Sequence, residues 1–153
     1  MKNHFLLFAL LSSLLLCSSL FISCKPAKTA SFFELKYSKS PCKGQCPYFD
    51  LKITEDQMVV FNGRKYTTIV GIVQIKLSDE KYQKLQNLIK ESQFLETDAI
   101  GYNRPFDVPI TKLEIMKGEK SKEQTIYIEK PQNLETLLVF LDMLVLEIQE
   151  DSK

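Results

Sequence analysis

From residue 32 onward the chain alternates between apolar and polar positions. Phe33, Leu35 and Tyr37 fall on every second position and make a short first strand run. Phe49, Leu51 and Ile53 then alternate with Tyr48, Asp50, Lys52 and Thr54, a period of two that buries one face. Glu55-Asp56 breaks the pattern, and Met58-Val59-Val60-Phe61 predicts the returning strand. Asn62-Gly63 predicts a hairpin turn, because both residues tolerate positive φ. A long strand over 65–77 is expected after it, with Gly71 marking a bulge or bend.

The period then changes. Ser78 is placed to cap a helix whose first turn carries Asp79 and Glu80, where acidic side chains complement the helix dipole. Tyr82, Leu85, Leu88 and Ile89 form its apolar stripe, with Lys81, Lys84, Asn87 and Glu91 opposite. The helix should end near Gln93, Phe94-Leu95 should plug the core, and 96–107 reads as an irregular loop. Strands at 110–116 and 125–128 are expected around a turn at Gly118-Glu119. Pro131 opens the last helix at its first position, and Leu134, Leu137, Leu138, Leu141, Val145 and Ile148 form its core stripe. Val139, Phe140, Met143 and Leu146 make that helix apolar on most sides, which predicts deep burial; the alternative is a surface for a protein partner or for self-association. The run 137–146, broken by Asp142, is too short to span a membrane. The fold class is therefore α+β, an antiparallel sheet of about five to six strands with two helices on one face. The element order is ββ(ββ)αββα in a single domain over 32–153.

The N-terminus reads as an address. Lys2 precedes an uncharged stretch from Phe5 that ends in Phe21-Ile22-Ser23-Cys24, the arrangement of a secretory signal whose last cysteine is acylated. Residues 1–23 are thus expected to be a lipoprotein-type signal peptide, Cys24 the lipidated residue and 24–31 a tether. The expected location is the cell envelope, anchored through lipid such as palmitate, in the outer membrane facing the periplasm. The alternative is an uncleaved anchor, since residues 5–22 just reach the ~18 uncharged residues a span requires.

Composition narrows the function classes. The chain has 153 residues, with 20 Lys and Arg against 19 Asp and Glu, so a basic surface for nucleic acid is not expected. Its one histidine, His4, lies in the signal, which removes Ser-His-Asp or Cys-His catalysis and histidine-ligated zinc from consideration. Of four cysteines, Cys17 leaves with the signal and Cys24 takes lipid. Cys42 and Cys46, four apart in an oxidising compartment, are most simply a disulfide. Such closure needs a turn, which Pro41 and Gly44 permit. Two other uses stay open: a redox pair, with Lys43 favouring a thiolate, and a soft-metal site.

As a unit, Pro41-Cys42-Lys43-Gly44-Gln45-Cys46-Pro47-Tyr48 resembles the signature of a family of secreted bacterial domains of unknown function, often lipoproteins. The Asp56 turn, Val59-Val60-Phe61, Gly71, the helix start at Leu77-Ser78, Phe94 and Asp107-Val108-Pro109 follow in the family's order, over roughly 40–146. Gln57 departs from it, standing where the family usually has glycine. The resemblance implies the fold and the Cys42–Cys46 pairing, and no activity.

One further candidate is the loop Tyr102-Asn103-Arg104-Pro105-Phe106-Asp107, where Arg104 and Asp107 could meet a ligand beside an aromatic wall, or simply close a turn. Asp79-Glu80 and Glu147, Glu150 and Asp151 read as solvated helix charge rather than paired catalytic carboxylates. The expectation is a membrane-anchored, non-catalytic binding or structural domain with no cofactor, and the alternative is a thiol–disulfide or soft-metal protein using Cys42 and Cys46.

Overall fold

Five runs of alternating side chains and one polar run become six strands: β1 Phe33–Lys39, β2 Tyr48–Thr54, β3 Met58–Lys65, β4 Gly71–Lys76, β5 Thr111–Lys117 and, from the polar run, β6 Lys120–Ile126. Two periodic segments become helices, α1 Asp79–Glu91 and α2 Glu135–Asp151, the second entered through a short 3-10 turn at Gln132–Leu134. This computed structural model describes residues 32–97, 108–127 and 131–151.

The sheet is wholly antiparallel, in the order β4-β3-β2-β1-β5-β6. The first strand is therefore central: Tyr37 lies opposite Leu51 of β2 and Leu113 of β5, and Leu35 opposite Ile53 and Ile115. Because side chains alternate across a strand, this register puts the apolar set on one face. Leu35, Tyr37, Leu51, Ile53, Val59, Phe61, Leu113 and Ile115 are all buried there, in one cluster with Leu85 and Ile89 of α1 and Leu137, Leu141 and Val145 of α2. Both helices thus cover the same face, as expected, and the other face meets solvent. Burying one Leu or Ile side chain contributes about 2 kcal/mol, so this layer dominates the stability.

Helix α1 starts where predicted. The Ser78 side chain accepts a hydrogen bond from the Lys81 amide, and Asp79 and Glu80 occupy the first turn. It ends at Ser92, after which Gln93 takes a left-handed conformation (φ 50°) and swings Phe94 fully into the core.

Four expectations are corrected. Asn62-Gly63 is not a turn but part of β3, paired with Asp50 and Phe49 on one side and with Ile72 and Gly71 on the other. Glycine is required at 63 for another reason: a Cβ there would lie 1.9 Å from the Ile69 carbonyl oxygen, because the following loop folds closely over it. That loop, 66–70, is the true reversal, with Tyr66 left-handed (φ 55°) and Gly71 at φ 118° opening β4. The single long strand over 65–77 is thereby split. At the other edge β6 begins at Lys120, not Thr125, since an edge strand with one solvated side accepts a polar run that carries no apolar alternation. Its predicted end at Ile128 lies outside the described residues. Finally, α2 is not buried on most sides: Leu144 is buried, but Val139, Met143 and Leu146 are 43%, 64% and 59% exposed.

Candidate functional site

The cysteine loop joins the two central strands β1 and β2. Ser40 fixes its start by donating its amide to the Ile110 carbonyl (2.9 Å) and accepting the Ile110 amide on Oγ (2.9 Å). Beyond it the chain reverses, bringing the Cα atoms of Cys42 and Cys46 to 5.7 Å, and the two are joined by a disulfide. The Gly44 amide points into the loop and donates to Cys42 Sγ at 3.2 Å. Both cysteines are half-buried, while Pro41, Lys43, Gly44, Gln45 and Pro47 are exposed. The loop re-enters the sheet with a register shift between Tyr48 and Phe49, a bulge that turns Tyr48 beneath the Arg64 guanidinium, 5.5 Å from the ring centre.

On the helix-free face, four cations meet four anions across the strands. Arg64 Nε donates to Asp50 Oδ2 (2.7 Å) between β3 and β2. Lys52 reaches Glu34 at 2.6 Å, and Lys36 lies between Glu34 (3.3 Å) and Glu114 (3.2 Å), linking β2, β1 and β5. Lys112 and Glu123 extend the series to β6 at 3.5 Å. With Ser38, Val60 and Asn62, all of these side chains except Glu34 line a shallow concavity of about 440 Å³. The Lys52 hydrogen bond, reinforced by Lys36, holds the Glu34 carboxyl below its ordinary range against the opposing effect of burial. Glu114, and then Glu34, raise the Lys36 ammonium. The charges cancel, so this face is a self-paired polar lattice. Such pairs add little stability singly, but mispairing like charges opposes a slipped register.

The helix face offers different chemistry. Val139, Met143 and Leu146, spaced four and three apart, form one exposed apolar stripe on α2. Beside it a groove of about 300 Å³ runs between α1 and α2, lined by Lys81, Lys84, Phe140, Met143 and Glu147. Lys84 Nζ lies 5.7 Å from the centre of the Phe140 ring, and Lys81 pairs with Glu147 across the groove. Among the described residues no helix is long and apolar enough to cross a membrane.

Asp142, which interrupts the apolar run of α2, has a structural role that the sequence did not reveal. Its Oδ1 accepts from the Tyr37 hydroxyl (2.5 Å) and from Lys39 Nζ (2.5 Å), tying the last helix to the central strand. Burial, and then this bond, push the Tyr37 hydroxyl far above its ordinary value. A charged residue in an apolar helical run was the available signal. The charge lattice also had one, in the opposite signs two apart at Glu34/Lys36, Asp50/Lys52 and Lys112/Glu114.

Of the predicted site residues, Cys42 and Cys46 are brought together, whereas Cys24, Arg104 and Asp107 lie outside the described residues. An antiparallel α+β sheet with a disulfide-closed loop between its central strands defines the class. The chain belongs to the family described as a domain of unknown function (DUF6438), which it matches over residues 33–145. Comparison with curated proteins yields no match.

Proposed function

We propose that this protein is an envelope lipoprotein whose folded domain is a non-catalytic binding or structural module. In this reading residues 1–23 are a signal peptide, Cys24 carries the lipid and 24–31 is the tether. The domain then sits at the outer membrane facing the periplasm, and the α2 stripe of Val139, Met143 and Leu146 contacts a protein partner. The observation that carries the reading is the Cys42–Cys46 disulfide, because such bonds persist in oxidising compartments outside the cytoplasm. Phe21-Ile22-Ser23-Cys24 supplies the matching export and acylation signal. Growth of expressing cells with an alkyne-tagged palmitate tests it. The full chain should take up the label and fractionate with the outer membrane, and Cys24→Ser should lose the label. Label retained by that variant, or absent from the wild type, refutes the anchoring.

The second reading is a thiol–disulfide or soft-metal role for the same two cysteines, favoured by the exposure of the residues around them. Equilibration in glutathione buffers separates the two. A structural bond stays oxidised at a periplasmic-like poise, whereas an exchanging pair is reduced there and reoxidises reversibly.

A further inference from the structure

The two edges of the sheet are built differently. β6 carries Lys120, Lys122 and Glu123. Lys120 pairs with Glu96 at 2.6 Å, and Lys122 Nζ donates to the Thr97 carbonyl at 2.6 Å. Charge and an adjoining segment blunt that edge, as edge strands in soluble domains commonly are. β4 has neither device. Its one charge is Lys76, and the nine residues 67–75 (Thr67-Thr68-Ile69-Val70-Gly71-Ile72-Val73-Gln74-Ile75) contain no charge and no proline. Val70 and Ile72, at 70% and 67%, are the most exposed large apolar side chains among the described residues, while Val73 and Ile75 pack against the rim of the core only partly covered. Among the described residues no strand pairs with the outer side of β4. An apolar, β-branched edge with one charge and no strand on its outer side is a template for another strand.

We propose that β4 is the self-association interface of this protein: a second copy adds its own β4 antiparallel across a two-fold axis, joining two six-stranded sheets edge to edge. The strand is complementary to itself. Side chains alternate, so only pairings that match even with even and odd with odd keep the two apolar faces continuous. Centring the axis on Gln74 sets Gln74 against its own copy, where the two amides can exchange hydrogen bonds. Val73 then meets Ile75 twice over, closing the exposed rim of both cores. Ile72 lies against the aliphatic stem of the partner's Lys76, and no like charges oppose each other. Shifting the axis to Val73 would leave Ile75 facing Gly71 and waste that contact. A closed two-fold pairing also uses up the edge in both copies, which prevents open-ended stacking. The proposal rests on the edge itself and is independent of lipid anchoring and of the α2 surface.

The test is the oligomeric mass of the full chain in detergent solution, by light scattering across a dilution series. The wild type should be a dimer. Ile72→Lys is harmless to a monomer, since the position is exposed, but in the dimer it sets lysine against Lys76 at both ends and should raise the dissociation constant by about tenfold or more. Adding Lys76→Glu turns each clash into an opposite-charge pair and should restore the dimer. Gln74→Cys should give a disulfide-linked dimer on mild oxidation, while Lys120→Cys on the other edge should not. A monomeric wild type overturns the proposal. So does a dimer that Ile72→Lys leaves intact but Met143→Lys dissociates, which would move the interface to α2. A Gln74→Cys adduct with a different protein would likewise replace self-association by capture of an extended segment of a partner.

Discussion

Replacing both Cys42 and Cys46 by serine removes one covalent tie and little else. The sulfurs are half-buried in an exposed loop, so serine leaves no core cavity, and the strand ends are held independently by the Ser40–Ile110 hydrogen bonds. What changes is the unfolded chain, which loses the constraint of a closed loop spanning the five residues 42–46. For a loop this short the chain-entropy relation gives about 2 kcal/mol at 25 °C. With an unfolding entropy of ~2.1 cal/mol/K per residue, that stability corresponds to a melting temperature lower by about 8 °C for the folded domain. Thermal unfolding followed by far-UV circular dichroism, in parallel with urea titration, measures both quantities. Wild type treated with reductant should match the double variant, and the native spectrum should survive in each. A melting temperature unchanged by the substitution would refute the loop-closure argument. Outright loss of the folded state would refute the claim that the loop stands apart from the core.

Other substitutions probe the sheet. Gly63→Ala drives a methyl into the Ile69 carbonyl and should cost about 2–3 kcal/mol or more in urea unfolding, whereas a turn glycine outside the left-handed region would tolerate alanine. Tyr37→Phe removes the hydroxyl that ties β1 to Asp142 and should cost about 1–2 kcal/mol. The folded state holds the Tyr37 proton above the ordinary value of 10.0, so stability is full below pH 10 and declines as pH rises beyond it; the phenylalanine variant should flatten that alkaline decline. Glu34 behaves in the opposite sense. Its depressed folded value makes its contribution present above the ordinary 4.5 and lost as pH falls below it, and Lys52→Met should weaken this acid limb in urea titrations between neutral pH and pH 3.

The helices and the burial face were readable because each depends on local information: a cap at Ser78, a 3.6-residue stripe at Leu85, Leu88 and Ile89, and the period-two runs of β1 and β2. Strand order was not readable. Nothing local distinguishes the ambiguous first run, Phe33 to Tyr37, from an edge strand, yet it pairs on both sides at the centre of the sheet. Asn62-Gly63 carries strong local turn chemistry and still lies in mid-strand, because the glycine serves the close approach of the Ile69 backbone, a contact made by residues several positions away. Conversely, Gln57 takes a left-handed φ of 68°, a conformation in which glycine is unstrained, in keeping with the glycine that the resemblance implies at this turn. The cysteine pair was legible from its spacing and from the compartment that the N-terminus leads one to expect, while Asp142 acquires its meaning only when α2 is laid across Tyr37 and Lys39.

Export, lipid anchoring and a structural disulfide can all be read from the intact mass of the protein extracted from native membranes, alkylated with and without prior reduction. The expected species is a chain that begins at Cys24 and carries a lipid-sized increment, with Cys42 and Cys46 alkylated only after reduction. A mass that retains residues 1–23, or alkylation of those two thiols in the unreduced sample, would contradict it.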